Sequence, residues 1–98
     1  MYRIEYAQKA ESHLRLLTSR QRMLIFHHVK EQLSHQPSVE TRNRKPMRPN
    51  PLAPWELRVG ELRVYYHVYD SPERVVQVLA VGLKRHEQMW IGNRRVEL

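Results

Sequence analysis

Apolar and polar positions alternate at the start of the chain: Tyr2, Ile4 and Tyr6 on one side, Arg3 and Glu5 on the other. That period of two predicts a half-buried strand. From Ala7 the spacing lengthens to Ala7, Ala10, Leu14 and Leu17, which stacks apolar side chains on one face of a short amphipathic helix. Thr18 and Gln21 form a T-x-x-Q capping box that starts a second helix, with an apolar face expected through Met23, Phe26, Val29 or the stem of Lys30, and Leu33. It must stop near Gln36, because Pro37 disfavours helical geometry in the residue before it.

Five of the six prolines (Pro37, Pro46, Pro49, Pro51 and Pro54) fall in residues 37–54, which reads as a connector and not a core element. A connector beyond about 12–15 residues is usually functional or disordered. Two alternating segments follow, Trp55–Val59 and Leu62–Tyr69, joined by a tight turn at Gly60-Glu61. After a turn over Asp70-Ser71-Pro72-Glu73, Arg74 to Val81 is a nearly continuous apolar run, as expected of a central strand. The pattern from Lys84 onward is ambiguous: Lys84 to Trp90 fits a helical turn and Ile91-Gly92-Asn93 suggests another bend, but the spacing assigns residues 84–98 to no element. With no internal repeat, residues 1–98 read as one α+β domain, β-α-α-β-β-β, with a helical hairpin packed on a small, mostly antiparallel sheet.

Charge changes this picture. Seventeen Lys and Arg against ten Asp and Glu give a net charge of +7, which draws polyanions to a body of 98 residues. Residues 1–49 carry ten basic and four acidic side chains and residues 50–98 seven and six, so the excess is concentrated in the first half. Within it, Arg42, Arg44, Lys45 and Arg48 are spaced to grip successive phosphates, although such a run is also what a solvated loop looks like. With no cysteine there is no disulfide framework and no thiolate site. No apolar run approaches the ~20 residues of a membrane span, and the first residues lack a signal-peptide core, so a soluble cytoplasmic protein is expected.

Strand alternation sorts the hairpin into two faces. Trp55, Leu57, Val59, Leu62, Val64, Tyr66 and Val68 form the expected core side. Glu56, Arg58, Arg63, Tyr65, His67 and Tyr69 gather on the other, expected to be open to solvent. Two cations, a carboxylate, an imidazole and two phenols can hold a phosphate, stack a base and move protons. The same set also describes an ordinary exposed strand face with a surface ion pair. The six histidines show no metal-ligand spacing, and there is neither a Gly-rich phosphate loop nor a nucleophile elbow.

The order of elements, the segment Trp55-Glu56-Leu57-Arg58-Val59-Gly60-Glu61-Leu62-Arg63-Val64-Tyr65-Tyr66, and Val81-Gly82-Leu83-Lys84-Arg85 resemble the RelE/ParE superfamily of bacterial toxin–antitoxin pairs. The resemblance spans nearly the whole chain. It implies a ribosome-dependent endoribonuclease that cuts mRNA through the RNA's own 2′-hydroxyl, with an antitoxin, the ribosome and mRNA as partners and no metal or small-molecule cofactor. It assigns catalytic roles to Arg58, Arg63 and Lys84 (or its neighbour Arg85), and sets Trp90 near a base-stacking position; Trp90 reads equally as a core anchor. Where RelE offers a lysine as base, this chain has Glu56, with His67 and His86 as alternative proton carriers. Replacing Arg63 with Ala is expected to abolish toxicity while leaving the fold intact. ParE-type relatives share the fold but inhibit DNA gyrase by binding, and a basic RNA-binding module without catalysis is a third reading.

Overall fold

The computed structural model describes residues 1–97. It contains β1 (Arg3–Tyr6), α1 (Gln8–Arg15), α2 (Ser19–Leu33), β2 (Arg44–Pro46), β3 (Trp55–Val59), β4 (Leu62–Tyr69), β5 (Val75–Arg85), β6 (Gln88–Ile91) and β7 (Arg94–Val96). The sheet runs β2-β3-β4-β5-β6-β7, antiparallel throughout, with β1 added parallel to β5. The protein is thus α+β, with two helices and a mostly antiparallel seven-stranded sheet. None of the described helices is long and apolar enough to cross a membrane.

The capping box forms as expected: Gln21 N–H donates to Thr18 Oγ1 at 3.1 Å and Thr18 N–H donates to Gln21 Oε1 at 2.9 Å. Two of the helix's orphan donors are satisfied, which fixes where α2 begins. Its buried face is Ile25, Val29 and Leu33, spaced four apart, whereas Met23 and Phe26 are exposed. The expected face was rotated because Met23-Leu24-Ile25-Phe26 is apolar around a full turn, so spacing does not choose among its members.

Ala10 and Leu14 of α1 join those three residues against Leu57, Val59, Leu62, Val64, Tyr66, Val76, Val78 and Val81. The Tyr66 hydroxyl, sealed in this core, donates to Pro37 O at 2.7 Å and ties the sheet to the end of the helical hairpin. On β5 the inward side changes parity after Val78. Tyr65 pairs with Ala80 and Tyr66 with Val78, so Leu79 is the extra residue of a β-bulge. This is why residues 75–81 read as a continuous apolar run and not as an alternation.

The connector is more than a loop, and the tail, which the sequence left open, is extended. The proline-rich connector contributes a strand, β2, registered Lys45↔Glu56 against β3; a proline is tolerated there because β2 is a sheet edge. Residues 84–90 are not a helical turn. β5 continues to Arg85, His86 and Glu87 make a tight turn at φ 51° and 66°, and β6 and β7 extend the meander. A two-residue turn with positive φ at both positions usually carries Asn-Gly, so His86-Glu87 gives no turn signal in the sequence. At Gly82 a Cβ would lie 2.6 Å from Trp90 O, so glycine is what lets β6 approach β5.

Along one edge of β5, β1 covers residues 75–78 and β6 covers 82–85. In the gap, Val81 N–H donates to Nδ1 of His13 on α1, at 3.2 Å. Burial, and secondarily the charge of Lys9, lower the His13 pKa. The unfolded chain then binds the His13 proton more readily than the folded one, so this contribution is complete above the ordinary histidine pKa and is lost as pH falls through and below it. Urea denaturation between pH 7.5 and 5 is expected to show stability falling on the acid side. In His13→Ala the slope should flatten, with stability at pH 7.5 lower by about 1–3 kcal/mol because the Val81 N–H loses its acceptor. An unchanged slope would remove His13 from this role.

Candidate functional site

On the sheet face away from the helices, the connector folds back over β3–β5. Asn50 fixes its path: Nδ2 donates to Arg48 O (2.6 Å) and Ala53 O (3.0 Å), and Oδ1 accepts from Leu52 N–H (2.7 Å) and Ala53 N–H (3.0 Å). The connector's Ala53 is buried with Tyr65 and Ala80, and Met47, Leu52, Leu79, Met89 and Ile91 pack around them. Tyr65, expected on an open face, is therefore fully buried, and its hydroxyl points at Met89 Sδ, 3.3 Å away. Burial, reinforced by the neighbouring Glu56 carboxylate, pushes its pKa well up and keeps the phenol neutral. The signal for this second small core was present in Met47, Leu52 and Ala53, the apolar residues scattered among the prolines.

Beside this ridge lies a groove of about 770 Å³ walled by the connector, β3 and the β5–β7 hairpins. Lys45, Arg48, Arg58, Lys84 and Arg95 line it, with Glu56, Glu87 and Glu97. Among the described residues the groove carries five cations against three carboxylates. Its floor is ordered by an ion pair: Arg58 Nε donates to Glu56 Oε1 at 2.9 Å, with the Glu56 side chain only 12% exposed. Lys45, registered opposite Glu56, reaches Glu40 at 3.5 Å. Arg48, Lys84 and Arg95 make no ion pair among the described residues. Such a site can hold a phosphate against preorganised cations and has a carboxylate on its floor to accept a proton.

The structure thus brings Glu56, Arg58, Lys84, Lys45 and Arg48 together and sets other candidates apart. Arg63 is the cross-strand partner of Arg58, but its Nη1 donates to Gly60 O (2.6 Å) and Leu62 O (2.9 Å), and it does not line the groove. Arg44 is a correction: it is buried, donating through Nε to Val39 O (2.9 Å) and through Nη1 to Gln32 O (2.8 Å) and Oε1 (3.0 Å). Its guanidinium fastens the connector to the end of α2 instead of facing an RNA. Arg42 is exposed, outside the groove.

Arg85 and Trp90 alternate away from Lys84 and Met89 and lie on the helix side of the sheet, where Arg85 reaches Glu61 at 3.6 Å and Trp90 sits beside Leu16 and Leu17. Both are therefore removed from the groove, and the base-platform reading of Trp90 is not carried there. His67 lines a second concavity across the connector, and His86 is exposed in the β5–β6 turn. Arg95, Glu87 and Glu97 were missed by sequence reading because the strands that carry them, or lead to them, were not foreseen. Among the described residues no group of three His, Asp or Glu is arranged to ligate a metal ion. No family model matches the chain, and no curated protein matches it.

Proposed function

We propose that this chain is a RelE-like toxin of the RelE/ParE superfamily, a ribosome-dependent endoribonuclease that acts on mRNA in the bacterial cytoplasm. The observation that carries the reading is the single groove in which Lys45, Arg48, Arg58 and Lys84 surround Glu56. The element order, with the first strand parallel to the long β5 and the helical hairpin on one face, is compatible with a RelE-like topology.

In this reading the scissile phosphate sits between Arg58 and Lys84, and Arg48 and Lys45 hold its neighbours. Glu56 takes the proton of the 2′-hydroxyl, the 2′ oxygen attacks the adjacent phosphorus, and the bond from phosphorus to the 5′ oxygen breaks. The 5′ oxygen takes a proton from solvent water as it leaves, giving a 2′,3′-cyclic phosphate and a 5′-hydroxyl. Arg58, held at a fixed angle by Glu56, meets the charge that develops on the phosphorane. An antitoxin neutralises the protein by laying acidic residues over the same groove.

Purified protein added to ribosomes translating a defined mRNA is expected to produce new 5′ ends within the codon in the A site, read by primer extension. Glu56→Gln, which keeps the side chain's shape and an acceptor for Arg58, should remove the cuts. Intact mRNA together with inhibition of gyrase supercoiling would move the chain to the ParE reading.

A further inference from the structure

The connector ridge has a second concavity on its far side, of about 450 Å³, lined by residues 47–54 together with His67 and Leu79. Met47, Arg48, Pro49 and Asn50 line both concavities, so the two are opposite slopes of one ridge, with the exposed Arg48 shared between them. His67, at the foot of the far slope, stacks with Tyr69, two residues further along the outer face of β4, with ring centroids 4.3 Å apart and planes 18° from parallel; Tyr69 itself lies just beyond this concavity, lining the next one with Glu5 and Glu73. Tyr69 is 41% exposed. Among the described residues no carboxylate lines this concavity, and Arg48 is the one charged residue that does.

From this arrangement we infer that the far slope is a second nucleotide subsite, in which His67 and Tyr69 stack the base of an RNA residue lying outside the groove while Arg48 holds the intervening phosphate. The inference rests on the proposed RNA-binding groove and extends it across the ridge. A cation followed by an aromatic platform matches the alternation of phosphate and base along a single strand. Stacking on a ring face is sequence-tolerant, so the subsite lengthens the bound segment without selecting its sequence. The wall is preformed: Pro49, Pro51 and Pro54 fix φ, and both ends of the Asn50 amide are occupied by the connector's own backbone.

The test uses fluorescein-labelled 2′-O-methyl oligouridylates, which cannot be cut by 2′-hydroxyl attack, in short and long forms of 4 and 10 nucleotides (roughly, a groove-length and a ridge-crossing segment). Binding to the full chain is followed by fluorescence anisotropy at low salt. The His67→Ala/Tyr69→Ala protein is expected to bind the long form about tenfold more weakly than the wild type and the short form equally well. His67→Phe/Tyr69→Phe, which keeps both rings, should restore the long form's affinity. Lys84→Ala should weaken both forms. Unchanged affinity of the double-alanine protein for the long form, or equal losses on both forms, would overturn the subsite. A wild-type protein that binds neither form would instead overturn the groove reading on which it rests.

Discussion

Lys84→Ala is expected to lower ribosome-dependent RNA cleavage by roughly 10²–10³-fold, the usual loss when one preorganised charge is removed from a developing anion. Lys84 is exposed and free of ion pairs among the described residues, so its removal should leave Tm within about 3 °C. Arg58→Ala should cost a similar factor in cleavage, but it behaves differently in a melt. The Glu56 side chain, 12% exposed, would lose its ion-pair partner. Adding Glu56→Gln to Arg58→Ala should therefore recover stability without recovering cleavage. Primer-extension yields and thermal melts on the three proteins separate the two roles. Full cleavage by Lys84→Ala would take the phosphate out of this groove.

Arg44→Ala is expected to act in the opposite way. Its three hydrogen bonds to Val39 O, Gln32 O and Gln32 Oε1 join the connector to α2 from a buried position. Losing them leaves carbonyls unpaired and should cost about 3 kcal/mol, a fall in Tm of roughly 10–20 °C. The neighbouring Arg42→Ala, at an exposed position, should change stability by no more than about 0.5 kcal/mol. Were Arg44 a phosphate ligand, the melt would stay put and only the dependence of RNA affinity on salt would weaken. Thermal denaturation of the two variants beside the wild type decides between these outcomes.

The contrast between these arginines shows how far the sequence could be read. Local rules placed β1, the α1–α2 junction and the β3–β4 hairpin, because alternation, a capping box and a glycine turn each act within a few residues. They did not orient α2, whose first turns are apolar all round. Nor did they reveal β2, whose pairing with β3 joins residues 44–46 to 55–57 across a proline-rich span. The β6–β7 extension was hidden by a positive-φ turn made of His86 and Glu87, in place of the Asn-Gly pair that usually signals such a turn.

The same split runs through the site. Glu56 and Arg58 were recognisable because strand parity puts them on the outer face, whereas Lys84 was named only through the family resemblance. Arg44 has no local mark separating it from Arg42 and Arg48; only the fold turns it inward, toward the carbonyls at the end of α2. Arg85 was set beside Lys84 as its neighbour in sequence, and Trp90 by the family resemblance. Extended strands instead send alternate residues to opposite faces, which takes both to the helix side. Tyr65 was expected in solvent because nothing in the alternation says that a loop will lie across the face.

In the mechanism we propose, this chain cuts RNA through the substrate's own 2′-hydroxyl in the groove over β3 and β5. The most direct measurement maps cleavage of a ribosome-bound mRNA carrying one 2′-deoxynucleotide on the 5′ side of the scissile phosphate, beside its all-ribose counterpart. The all-ribose message is expected to be cut to a 2′,3′-cyclic phosphate and a 5′-hydroxyl, and the single deoxy substitution to abolish that cut. Cleavage that persists at the deoxy position, or an all-ribose message left whole, would contradict this mechanism.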